Sequence, residues 1–219
     1  MKTILLSIGM LFCLEALPSY GQGNRFAMGV VTSFDTYLSQ SRPNPTLLRT
    51  DYFSSVGYGI DLSYKRGLWL FNARFLTSER KYDQLYDIRA VNPDDIVITT
   101  KARNTGRYYS IPLTVSYQLN RSHKLQVFGG VGIVTEWVGR QIRVETYKAL
   151  GGPISVPSYE TEPNALVGGS LQVVLRYHLT NRFLLQLEPA LRYFPQDQST
   201  FYGKPGATAN VLLSVSYKL

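Results

Sequence analysis

Histidine is the residue to look for first in a chain that might do acid–base or nucleophilic work near neutral pH. This chain has two, His123 and His178. A lipase- or protease-like centre sets a His beside a Ser and a carboxylate, or an Asp beside a His, where substrate arrives. His123 lies in the short polar stretch NRSHK, and His178 closes the apolar-alternating run VVLRYH. Neither falls in the long polar stretches at 35–52, 83–104, 140–163 and 195–206, so no catalytic site is expected. Cys13 is the only cysteine and sits near the start of the chain, which leaves the rest without thiolate or disulfide chemistry. Asp94-Asp95 reads as a solvated turn, and no His/Asp/Glu group has metal-ligand spacing. The glycine pairs at 129–130 and 168–169 fall inside alternating runs, not in a phosphate-cradling loop, so no cofactor is expected.

The charges that remain are more informative. Asp61, Arg74, Glu136, Arg176, Glu188, Arg192 and Lys218 all sit in runs where every second residue is apolar, and all fall on the polar side. The stretch YYSIPLTVSYQL at 108–119 shows the pattern: Tyr109, Ile111, Leu113, Val115, Tyr117 and Leu119 alternate with Ser110, Pro112, Thr114, Ser116 and Gln118. A two-residue period belongs to a β-strand with one apolar face. Eight such segments occur, beginning near Phe26, Val56, Trp69, Tyr109, Leu125, Val167, Phe183 and Val211. Their connections alternate between short (65–67, 120–124, 180–182) and long. That is the layout of an eight-stranded antiparallel up-and-down transmembrane β-barrel, with short periplasmic turns and long extracellular loops.

The face opposite the apolar set decides between lipid and water. It reads Gly57, Gly59, Asp61, Ser63 in one strand and Gly168, Ser170, Gln172 in another. Small residues with a few large polar ones suit the cramped inside of an eight-stranded barrel, not a solvated exterior. Phe26, Tyr64, Trp69, Tyr117, Tyr177, Phe183 and Tyr217 fall next to the short turns or termini. Phe34, Phe75, Tyr109, Trp137 and Tyr193 fall near the long loops. Two aromatic bands bracketing an aliphatic one match the two bilayer interfaces. The inward charges sum to +1 and are expected to pair into a structural plug, because a lone buried charge is costly. Arg176 with Glu188 and Asp61 with Arg74 are the candidate pairs on neighbouring strands. Pro112 and Pro189 fall mid-strand, where a bulge or a local break in pairing is expected.

The first 21 residues read as a secretory leader cleaved after Gly21, leaving one domain over 22–219. Beyond it, no apolar run reaches the roughly 18 residues of a transmembrane helix. The formal charge is +8, and Arg25, Lys65, Arg66, Arg121, Lys124 and Arg182 concentrate it at the short-turn rim. Such a rim suits the anionic head groups of outer-membrane lipids. No single element gathers these cations into a nucleic-acid groove reader, so no nucleic-acid partner is expected.

Tyr109, Ile111-Pro112-Leu113 and Tyr117 resemble the "IPL…Y" strand of the PorT-type outer-membrane β-barrel proteins of Bacteroidetes. The run FGGVGI at 128–133 and the ending VSYKL at 215–219 are similar to that family too. The likeness spans the mature chain as a pattern and departs at the end, where Leu219 replaces the usual terminal aromatic and Tyr217 stands two before it. It implies an eight-stranded outer-membrane barrel, and the few characterised members serve protein export or assembly. The functional expectation is a non-enzymatic accessory or structural component of an outer-membrane complex. The alternatives are a stand-alone adhesive barrel acting through its loops, with Tyr82, Tyr86, Tyr147 and Tyr159 available there, or a lipid-modifying enzyme.

Overall fold

The structure is a computed structural model that describes residues 25–37, 47–86, 98–120, 122, 124–149, 152–160, 165–195 and 206–219. The leader, Asp94-Asp95 and His123 lie outside the described residues. Ten strands are described: β1 Arg25–Tyr37, β2 Leu47–Tyr52, β3 Ser55–Arg66, β4 Trp69–Tyr86, β5 Ile98–Gln118, β6 Leu125–Ala149, β7 Gly152–Glu160, β8 Ala165–His178, β9 Phe183–Tyr193 and β10 Ala207–Lys218. Eight of them close on themselves in the order β1-β3-β4-β5-β6-β8-β9-β10, and β10 returns antiparallel to β1. Closure satisfies every neighbour's backbone groups within the protein, which is what a hydrocarbon environment demands of strands. The other two stand outside the ring: β2 pairs with the far end of β4, and β7 with the far end of β6.

Sidedness follows the two-residue period. Along β9, Leu184, Gln186, Glu188, Ala190 and Arg192 are buried, while Phe183, Leu187, Pro189, Leu191 and Tyr193 are exposed. The barrel exterior therefore carries the apolar set: Val30 is 68% exposed, and Ile133 and Leu171 are each 61% exposed. An apolar surface of that extent is tolerable in lipid and not in water. In YYSIPLTVSYQL, Leu113 and Tyr117 face outward and Ser110, Thr114 and Ser116 are buried.

Two close approaches fix the packing of neighbouring strands. A Cβ at Gly59 would fall on the carbonyl oxygen of Phe75, and one at Gly29 on that of Val215. The β3–β4 turn is two residues long, and Gly67 takes φ 58° there. Positive φ at the first turn position is the arrangement that matches strand twist in a tight hairpin.

The prolines break the ladder locally without shifting it. Pairing of β4 with β5 runs to Ala73–Leu113 and resumes at Leu76–Ser110 in the same register, skipping Pro112. Pairing of β8 with β9 runs to Gln172–Ala190 and resumes at Leu175–Leu187, skipping Pro189. A proline lacks the N–H that the ladder needs.

Three strands outgrow the alternating pattern. β4, β5 and β6 run 18, 21 and 25 residues, against 11 to 14 for the other barrel strands. A membrane crossing needs only about 9–11. Much of 83–104 and 140–163, expected as loop, is therefore strand. With β2 and β7 added, the order β2-β4-β5-β6-β7 forms a five-stranded antiparallel sheet on the outer side. Its start is marked in β6 by a register shift opposite Gly106 and Tyr108, after which inward positions change from even (Glu136, Val138) to odd (Arg143). Tyr82, expected in a loop, is a buried strand residue.

Candidate functional site: the barrel interior and its two rims

The interior is built in layers, because each strand contributes every second side chain to a narrow lumen. The lower polar layer centres on Arg74. Its Nε donates to Asp61 Oδ1 at 2.6 Å, and its Nη1 and Nη2 donate to the two Glu188 oxygens at 2.7 Å each. Asp61 is the register partner of Arg74, so that contact is between neighbours. Glu188 reaches it from β9, on the opposite wall of the barrel. Ser214 and Ser216 donate to Asp61 Oδ2, each at 3.2 Å. The planar guanidinium fork grips Glu188 with two parallel bonds while Nε holds Asp61, a geometry the single ammonium of a lysine cannot reproduce.

Arg176 does not bond Glu188 directly. Its Nε and Nη2 donate to Gln186 Oε1 at 3.1 and 2.9 Å, and Gln186 Nε2 donates to Glu188 Oε2 at 3.2 Å. Gln186 is the residue opposite Arg176 in the β8–β9 register, one side-chain step short of Glu188.

The upper polar layer centres on Glu136. Arg80 Nη1 and Nη2 donate to its two oxygens at 2.8 Å, and Arg192 Nη1 stands 3.6 Å from Oε1. Arg80 Nη2 also lies 3.6 Å from Asp35 Oδ2, and Asn210 Nδ2 donates to Asp35. The Arg80 guanidinium lies 4.4 Å from the Tyr108 ring centroid. Arg80 and Asp35 were not among the expected inward charges. The signal was present: the Ser33, Asp35 and Ser78, Arg80 parity continues past the points where those strands were expected to end.

Apolar side chains separate these layers. Leu70, Phe128 and Val174 cluster toward the periplasmic end. Val31, Leu76, Ala190 and Leu212 cluster between the two polar layers, and Val134, Leu166 and Phe194 cluster toward the outer rim.

Lys218 and Lys65 lie at the periplasmic end, not in the layers, each with its own partners. Lys218 Nζ lies 2.8 Å from His178 Nδ1. Lys65 Nζ donates to Gln118 Oε1 at 2.9 Å and Gln126 Oε1 at 3.1 Å, and sits 5.5 Å from the Phe128 ring centroid. Lys65 is thus drawn into the mouth, although its place beside a turn suggested a rim charge.

Around the periplasmic end, Phe26, Trp69, Tyr117, Phe183 and Tyr217 are exposed, and Tyr64 and Tyr177 are half-buried. Trp69 meets Tyr117 edge-on at 5.1 Å, Phe183 meets Tyr217 edge-on at 5.4 Å, and Tyr64 lies 6.3 Å from Phe71. At the outer end, Phe75, Tyr109 and Trp137 form a triangle of rings, with centroids 6.1 Å (Phe75–Tyr109), 5.9 Å (Tyr109–Trp137) and 6.3 Å (Phe75–Trp137) apart.

In the outer sheet, Asp83 takes Lys101 at 2.6 Å and Arg103 at 3.0 Å. Burial works to raise the Asp83 carboxyl, but hydrogen bonds from Arg103 and Lys101 and their charges hold it below its ordinary value. The hydrogen bond to Asp83 in turn raises Arg103.

A closed antiparallel barrel of eight strands with an apolar belt defines an integral outer-membrane protein, and this chain is one. No family model matches the chain, and no curated protein matches it. Among solved structures it is similar to Neisserial surface protein A, at 12% identity over 90% of this chain and 100% of that one, with a TM-score of 0.52. It is also similar to the outer membrane protein OprG from Pseudomonas aeruginosa, at 10% identity over 90% of this chain and 97% of that one, with a TM-score of 0.53. The likeness is one of fold.

Proposed function

We propose that this chain is a non-enzymatic outer-membrane barrel with a plugged lumen that serves as an accessory or structural subunit of an outer-membrane complex, docking a partner through its outer sheet. The observation that carries this reading is the one-sided growth of β4, β5 and β6 into a five-stranded sheet beyond the membrane. An anchor alone needs no such platform. At the β7 edge, Pro153 and Pro157 interrupt the backbone donors, which disfavours strand addition there and leaves the sheet faces for docking.

The plugged lumen is supported by the consumption of its charges. Arg74, Glu136 and Glu188 are each committed to paired contacts, and an apolar cluster lies between the two layers. The non-enzymatic reading is supported by the position of His178 at the periplasmic mouth beside Lys218, at the end opposite the outer sheet. Kinship with the PorT-type proteins, suggested by Ile111-Pro112-Leu113 and VSYKL, is part of the same proposal.

The test is purification of the tagged barrel from its native outer membrane in mild detergent, with mass spectrometry of what accompanies it. A stoichiometric protein, lost when the hairpin of β6 and β7 is trimmed at 141–160, is the expected result. A barrel that emerges alone from several gentle detergents overturns the accessory reading, and the same sheet then becomes the surface of a stand-alone binding barrel. Activity lost on His178→Ala would overturn the non-enzymatic reading.

A further inference from the structure

The periplasmic mouth is a cavity of about 1050 Å³, lined by Lys124, Gln126, His178, Arg182 and Lys218 together with Leu179 to Asn181 and the chain end. Its cations are not a chance scatter of turn residues. The His178 N–H donates to the Lys124 carbonyl at 3.0 Å, and the Lys218 N–H donates to the Arg182 carbonyl at 2.8 Å. Three cation-bearing residues are thereby tied to adjoining strand ends. Lys124 Nζ leans over the Tyr177 ring at 5.6 Å, and Lys218 Nζ holds His178 Nδ1 at 2.8 Å. Among the described residues, no Asp or Glu lines the cavity, while Lys124, Arg182 and Lys218 bring three basic side chains to it. Gln126 lies at its inner side, one residue on each side of which the chain turns to the apolar exterior, and the buried Phe128 follows next on the inward face.

We propose that this mouth binds a phosphate-bearing anion. The cations provide charge, the Gln126 amide and His178 ring provide further hydrogen-bonding groups, and the concave shape excludes part of the competing water. Tyr217 lines it, its exposed ring meets that of Phe183, and the two mark the level of the inner-leaflet interface. The same chemistry would accept the phosphodiester of an anionic phospholipid tilted over the rim or a free phosphate from the periplasm. This inference is independent of the outer sheet and of any partner docked there.

The experiment has two arms on the full barrel. In the first, it is placed in nanodiscs of phosphatidylcholine with a minor share of phosphatidylglycerol, and lipid retained on release is counted by native mass spectrometry. In the second, inorganic phosphate is titrated into the barrel in a zwitterionic detergent, and the amide resonances of Lys124, Arg182 and Lys218 are followed. Retained phosphatidylglycerol assigns the lipid source, and saturable shifts with phosphate alone assign the free anion. In either arm, Lys124→Gln, Arg182→Gln and Lys218→Gln each weaken binding about fivefold. Arg66→Gln, an exposed turn cation outside the cavity, changes binding less than twofold by comparison. The charge-preserving triple variant K124R/R182K/K218R keeps binding and controls for folding, which the heat-dependent gel shift of the barrel checks. The proposal is overturned if neither arm shows saturable binding, or if Arg66→Gln costs as much as each cavity substitution, since the rim would then act only as diffuse charge.

Discussion

Arginine meets carboxylate in two regions of this barrel, and the two are not equivalent. Inside the lumen, Arg74, Asp61 and Glu188 have side chains only 1–2% exposed. In the outer sheet, Asp83 is only 5% exposed, but the Arg103 and Lys101 side chains that meet it are 58% and 43% exposed. In the lumen each charge was taken out of water and depends wholly on its partners. In the sheet, water shares the work and the pair adds little. The same residue types thus depend on one another in the lumen and share their partners with water in the sheet.

The largest effect expected is from Arg74→Met, which leaves Asp61 and Glu188 buried without their cation and should cost about 3–5 kcal/mol. Urea unfolding in lipid vesicles measures it, and a loss under about 1 kcal/mol would erase the contrast between lumen and sheet. Replacing Asp61, Arg74 and Glu188 together by apolar residues of similar volume sharpens the point, because stability should then be largely restored.

A single substitution made in both regions separates lipid from water. Leu171→Arg, on the mid-strand exterior of β8, should destabilise by about 2–4 kcal/mol in the same assay. Val156→Arg, equally apolar and 48% exposed on β7, should stay within about 0.5 kcal/mol. Equal costs would mean that β7 is also immersed in lipid.

Gly59→Ala tests the close strand approach in the barrel wall. The added methyl falls on the Phe75 carbonyl, and accommodating it should cost about 1–3 kcal/mol. A neutral result would show that β3 and β4 separate easily there.

Among the charge substitutions, Asp83→Asn should cost far less than Arg74→Met, under about 1 kcal/mol. Its pH dependence has a definite sign. The folded-state pKa is lowered, so the contribution is complete above the ordinary carboxylate value, about 3.9, and fades as pH falls through the folded value. Amide exchange in β4 and β5 around Asp83 should therefore be unchanged from pH 5 to pH 8 once corrected for intrinsic rates. A variant-dependent change inside that window would show that another group governs the sheet.

Some of this was legible in the residues alone, and some was not. The parity that sends Leu113 and Tyr117 outward also sends Ser110 and Ser116 inward, and both directions could be read because alternation is a local property of a strand. The interruptions at Pro112 and Pro189 were legible for the same reason. The extents of β4, β5 and β6 were not, since beyond the membrane the exterior face meets water and the apolar alternation fades: Glu79, Lys81 and Arg103 occupy outward positions there. Arg80 and Asp35 were missed with those extents. Lys65 was misplaced because a position beside a turn does not say whether a long side chain bends outward or into the mouth.

The sequence by itself determined eight barrel strands, their inside and outside faces, and the alternation of short and long connections. Each depends on a period, a turn or an interfacial aromatic that acts over a few residues. Only the tertiary structure decided which charges meet across the lumen. Arg74 and Glu188 are 114 residues apart and belong to opposite walls, and Arg80 finds Glu136 two strands away. Those meetings depend on the stagger with which the sheet closes on itself, a property of the whole ring that no single strand carries.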